Sequence, residues 1–148
     1  MSVQIQRIGG KNGSKRHLLV DGRGVPIALV IRGAQRHDVS QLKQVLMSIV
    51  TERPEPTADK PQHLCADKGY HGEPSLETVV LRGYIPHIVS RGEEKKNKEQ
   101  NPNYKARRWV VEACHSWLNR FRKLLIRFEK TDIAYRGLLF FACAIYCF

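Results

Sequence analysis

A single carboxylate, Asp67, stands in the stretch HLCADKGYHG between a short apolar run and a Lys-Gly-Tyr turn. Its surroundings are basic, with 25 Lys plus Arg against 14 Asp plus Glu over the whole chain. An acid just past the carboxyl end of a parallel strand occupies the place where α/β sheets commonly present ligand-binding groups. The same residue type serves equally well as a turn residue capping the next segment. Glu112 falls on the polar face of a long amphipathic pattern, where a glutamate taken alone is ordinarily just solvated. Asp21 belongs to the turn VDGRG, where Asp-Gly is wanted for backbone conformation, and Asp38 stands where a helix N-cap belongs. His37 has no evident partner. His115 and Trp117 flank Glu112 and read as packing residues, while Tyr70 fits either a cover for the strand end or a contact to a ligand.

The elements that must position these residues are legible in the periodicity. RHLLV and VPIALVIRG, joined by DGRG, predict an antiparallel hairpin. Val39, Leu42, Val45, Leu46 and Ile49 recur at helical spacing. The proline-rich TERPEPTADKP is a loop, and QHLCA, EPSLETVVLRG and YIPHIVS then read as strand, helix ending at Gly83, and parallel strand. RGEEKKNKEQNPNYKARR lacks periodicity and reads as a solvated loop. From Ala106 to about Arg127 the residues Val110, Val111, Cys114, Trp117, Leu118, Phe121, Leu125 and Phe128 cluster on one face of a single long helix. The segment from Asp132 onward is apolar nearly all round, which predicts a buried helix. The first fourteen residues are polar and glycine-rich and are expected to be weakly held, with one domain from residue 15 to 148.

Composition narrows the partner class. The chain of 148 residues carries a net charge of +11 and is 42% hydrophobic, enough for one core and suited to a polyanion such as nucleic acid. Cys65, Cys114, Cys143 and Cys147 form no CxxC pair, so they read as small core residues of a reduced, cytoplasmic protein rather than a zinc or disulfide framework. The apolar run from Leu138 to Phe148 is eleven residues, short of the ~20 that span a bilayer, and no signal core opens the chain.

The wording around both acids carries more than their positions. GSKRHLLVDGRGVPIALVIRGAQRHD, LCADKGYHG, RGYIPHIVSRGEE and ARRWVVEACHSWLNRFRKLLIRFEK, in this order, resemble the catalytic domain of bacterial insertion-sequence transposases of the DDE superfamily, and more narrowly the insertion-sequence-five group. The resemblance spans about residues 13 to 148. It implies an α/β ribonuclease-H-like fold, a mixed sheet flanked by helices. It also implies a triad of two aspartates and a glutamate holding two Mg²⁺ or Mn²⁺ ions, since cleaving a phosphodiester needs an activated water and a stabilised leaving oxygen. Hard cations take oxygen ligands, which explains acids in place of Cys or His. By motif, Asp67 matches the second aspartate and Glu112 the glutamate, as catalytic and metal-binding residues. Arg108, one helical turn before Glu112, resembles the arginine of a family signature. With Arg120, Arg122, Lys123 and Arg127 it forms the expected DNA-facing set.

The family's first aspartate, on the first central strand, has no counterpart, because no acid precedes Asp21. VQIQRI could occupy that strand but offers Gln4 and Gln6, and amides are poor ligands for a pair of dications. The expectation is therefore a sheet lacking its first central strand and a chain resembling the C-terminal half of a transposase. Such a chain would be inactive alone and completed by an N-terminal half or another copy, or else would be a DNA-binding regulatory fragment or a decayed remnant. Expected partners are DNA, at element ends and target, with nucleoid association and no membrane.

Overall fold

The computed structural model describes residues 2–8 as backbone, and 14–33, 39–88, 96, 99–100 and 108–147. Its centre is a five-stranded mixed sheet of β1 (Ser2–Ile8), β2 (Ser14–Val20), β3 (Pro26–Gly33), β4 (Gln62–Ala66) and β5 (Tyr84–Ile88), in the order β3-β2-β1-β4-β5. β1 runs antiparallel to β2 and parallel to β4, and β4 runs parallel to β5. This corrects the expectation of a missing first central strand: Ser2–Ile8 fill that place. Alternation explains why a short polar-looking segment can do so, since SVQIQRI sets Val3, Ile5 and Arg7 against Gln4 and Gln6 at period two. The central position then supplies hydrogen-bond partners on both edges.

The hairpin forms as its sequence predicts. Asp21 Oδ1 accepts hydrogen bonds from the backbone N–H of Arg23 (2.8 Å) and Val25 (2.9 Å), which makes it a turn residue. Gly24 has φ +95°, and a Cβ there would lie 3.0 Å from Val110 Cγ1. Pro26 and Pro86 sit on β3 and β5, the two edge strands, where fewer backbone donors are needed.

Two cores flank the sheet. Leu19, Val30, Leu64 and Ala66 face α1 (Val39–Met47) and α2 (Glu73–Leu81), joined by Tyr70 from the 3₁₀ turn Lys68–Tyr70. Leu18, Val20, Leu29 and Ile31 face α3 (Arg108–Leu118), α4 (Arg122–Leu125) and α5 (Asp132–Cys147). Adjacent Leu18 and Leu19 thus serve opposite layers, as strand geometry requires. α2 stops at Leu81 with Arg82 as its C-cap, and Gly83, φ +74°, follows as the stop its sequence predicts. Asp38, His37 and most of the charged loop before Arg108 lie outside the described residues.

The C-terminal third differs from expectation in two ways. The long helix predicted to reach Arg127 stops at Leu118, turns through Asn119 and Arg120, and resumes as α4. Asn119 Oδ1 accepts a 2.7 Å hydrogen bond from Nη2 of the buried Arg16, and Asn has low helix preference, so the helix ends in tight turns there. The break puts Leu124 in the core at 3% exposure and leaves Leu125 and Phe128 outside at 59% and 68%. α5 is buried on one face only, through Tyr135, Leu139, Ala142 and Cys143. Leu138 and Tyr146 are half-buried at its edge, while Ile133, Phe140, Phe141 and Ile145 are exposed, against the expectation of a helix buried all round.

Candidate functional site

Asp67 is the first residue after β4, exposed, and its backbone carbonyl accepts a 2.9 Å hydrogen bond from Tyr70 N–H that closes the 3₁₀ turn. The turn is anchored below by Tyr70, 1% exposed, whose hydroxyl shares a 2.6 Å hydrogen bond with Nδ1 of buried His17 on β2. Tyr70 is therefore a cover for the strand end. Its burial ties the segment carrying Asp67 to the sheet two strands away.

Glu112 lies in the second turn of α3, also exposed. Val110, Val111, Cys114 and Leu118 hold that helix on the sheet, over β1 and β2. His115 is buried at 1% exposure, and Trp117 packs edge-to-face against Phe121 and Tyr146, so both are packing residues, as their sequence context predicts. Burial raises the Cys114 thiol to about 12 and the Cys143 thiol to about 11, so neither is a thiolate nucleophile at neutral pH.

The strand between these two elements is β1. In its parallel register with β4 every pair differs by 61 (63 − 2, 66 − 5), and the last is Ile5↔Ala66, so Gln6 and Asp67 are the residues that follow that last pair. On its other edge Gln6 pairs with Leu18. The acids Asp67 and Glu112 thus come from elements adjoining one central strand, and that strand carries amides. Among the described residues no group of three or more His, Cys, Asp or Glu is placed to hold a metal ion. Two exposed carboxylates fall short of what a pair of hard dications requires, so the described side chains do not fit a two-metal centre by themselves.

The basic residues separate into two kinds. Arg120, Arg122 and Lys123 are exposed at the turn from α3 into α4, with no side-chain hydrogen bond or ion pair among the described residues. Arg127 is instead taken up by the fold. It donates to Ser14 Oγ, to Glu129 O at 3.1 Å and to Asp132 Oδ1 at 2.6 Å, and its guanidinium lies 5.1 Å over the Tyr135 ring. Arg108 opens α3, and its side chain lies outside the described atoms. A polar pair that the sequence motifs do not single out joins β4 to β5. His63 Nδ1 and His87 Nε2 share a 2.8 Å hydrogen bond, and burial first, then the His63 charge, holds His87 below its ordinary value. Period-two spacing on facing parallel strands is the signal that could have found it. No helix among the described residues is long and apolar enough to cross a membrane.

Comparison with known proteins places this architecture. The fold is similar to the catalytic core domain of BIV integrase, with a TM-score of 0.50 and 13% identity over 96% of this chain and 80% of that one. The ribonuclease-H-like α/β fold implied by the motifs is the fold observed. A Burkholderia cepacia protein assigned as the transposase for insertion sequence element IS402 is 34% identical over 137 residues. That match takes in 91% of this chain, which spans 63% of the relative's length. Residues 4–147 match the transposase DDE domain, almost from end to end. The chain belongs to the DDE transposase domain family.

Proposed function

We propose that the chain is the catalytic-core domain of an insertion-sequence transposase, acting on DNA at element ends and target, with Asp67 and Glu112 as two of its three site carboxylates. The observation that supports this best is the convergence of the β4 end and of α3 on β1, in a chain of this family. The family implies dependence on a divalent metal, Mg²⁺ or Mn²⁺ in our reading. No acid precedes Asp21, and the motifs assign two of the three site carboxylates, Asp67 and Glu112, to these 148 residues. The chain's own contribution is then to hold the phosphodiester backbone by Arg120, Arg122 and Lys123. It also fixes the Asp67 turn through Tyr70 and His17.

The test is nicking of DNA carrying the element's ends, in Mg²⁺ or Mn²⁺, by this chain alone and by the chain joined to the upstream region, each beside an Asp67→Asn control. Cutting by the joined form only, abolished by the substitution, is the expected result. Cutting that survives Asp67→Asn rejects the assignment. A non-catalytic DNA-binding or regulatory role is the second reading, favoured by two separate features, the amides on β1 and three exposed cations on Arg120, Arg122 and Lys123. Steeply salt-dependent binding with no cutting by either form would mark it. In both readings, replacing Arg120, Arg122 and Lys123 together by Gln lowers the slope of log K against log salt by up to about 3, at ~0.9 for each phosphate no longer neutralised.

A further inference from the structure

A groove of about 410 Å³ opens where the turn after α3, α4 and α5 meet. Arg120, Arg122 and Lys123 stand among its lining, and Phe121, Leu138 and Phe141 give it an apolar surface. Its size falls in the ~300–1,000 Å³ range of ligand clefts. Phe121 is fixed edge-to-face on Trp117 at 5.0 Å, whereas Phe141 stands 66% exposed on the outer side of α5. An aromatic side chain left that open beside three cations with no anionic partner among the described residues is a combination that folding alone does not explain.

We infer that this groove takes an unstacked nucleobase of single-stranded DNA, with Phe141 as the stacking surface and Arg120, Arg122 and Lys123 on the flanking phosphates. The inference rests on the DNA-acting reading above and adds to it a particular site and strand state. Charge selects the occupant. A second copy of this chain, itself at +11, would bring like charge against the three cations, and an apolar protein segment would strip them of water without replacing it. A polynucleotide neutralises them and supplies a flat apolar face together, the pairing used where single strands are held by aromatic platforms in basic grooves. A base inside a duplex has its faces covered by its neighbours and cannot enter, so the groove discriminates strand state. The groove lining begins at Arg120, eight residues beyond Glu112, and the first six of these steps run along α3 for roughly 9 Å at ~1.5 Å per residue. A strand held there is within a few nucleotides of the acid.

Fluorescence anisotropy of the whole chain with a labelled single strand of about 12 nucleotides, and with a duplex of the same length, tests this. Phe141→Ala is expected to weaken single-strand binding about tenfold while leaving duplex binding within about twofold, and Phe141→Trp to retain it. Arg122→Gln with Lys123→Gln should weaken both and flatten the salt dependence. Single-strand binding unchanged by Phe141→Ala overturns the inference, as does equal weakening on both DNAs. Loss of self-association with DNA binding intact would make the groove a protein interface and also overturn it. Those outcomes leave the DNA-acting reading standing; an unsubstituted chain that binds neither DNA rejects both.

Discussion

Arg16 shows how much a single polar contact carries in this fold. It is 4% exposed, its Nη2 donates to Asn119 Oδ1 at 2.7 Å, and its Nη1 has no partner among the described residues. Asn119→Ala would leave a buried guanidinium without its acceptor, and the loss should be about 1–3 kcal/mol in denaturant unfolding. Arg16→Met removes the charge along with the hydrogen bond and should cost less. The reverse order would show that the pair is not the determinant. The histidine pair makes a second residue-scale prediction. His87 is held below its unfolded value near 6.5, so the unfolded chain binds more protons as pH falls through the interval between the two values. The contribution to stability is complete above about pH 6.5 and is lost toward the lower folded value. Thermal unfolding midpoints should therefore fall between pH 7 and 5, and fall less in His87→Gln. Equal pH dependence in both proteins would contradict the shift. The Arg16–Asn119 bond could not be read from sequence, because the two residues lie 103 positions apart and only the fold brings them together.

The break between α3 and α4 decides which leucine the core receives. In a continuous helix Leu125 lies two turns below Leu118 on the same face, whereas the observed turn buries Leu124 and exposes Leu125. Leu124→Ala should therefore cost about 2–5 kcal/mol and Leu125→Ala about 0.5 kcal/mol or less. Comparable losses at both, or the opposite order, would restore the single long helix. The hairpin, α1, the strand-helix-strand unit and the start of α3 are legible because each carries its own period and its own stop signal: Asp21-Gly22, Gly83, the prolines after Thr51. The break is not, because apolar residues at 118, 121, 124, 125 and 128 satisfy either geometry. What chooses is Asn119 meeting Arg16, a tertiary event. The same limit applies to α5, where composition implies burial all round and packing covers only one side.

For the molecule as a whole, motifs in order make the family and the fold legible, together with the placement of Asp67 at a strand end and of Glu112 on a helix. The central strand is not legible in the same way, because a segment ending in glycines looks like a weak start although its alternation suits the place between β2 and β4. That correction relocates the question: the strand position is filled, and the residue that follows the last β1–β4 pair on β1 is Gln6, an amide, where Asp67 follows on β4. On the function proposed above, the chain is a DDE core one carboxylate short at that position. Calorimetric titration of Mn²⁺ into the unsubstituted chain, into Gln6→Asp, and into Gln6→Asp with Asp67→Asn decides whether it is. Weak binding is expected of the unsubstituted chain, with at least about a tenfold gain in Gln6→Asp from the added hard oxygen ligand, and loss of that gain when Asp67 is also replaced. A gain that ignores Asp67, or an unsubstituted chain that already binds as tightly as Gln6→Asp, would refute it.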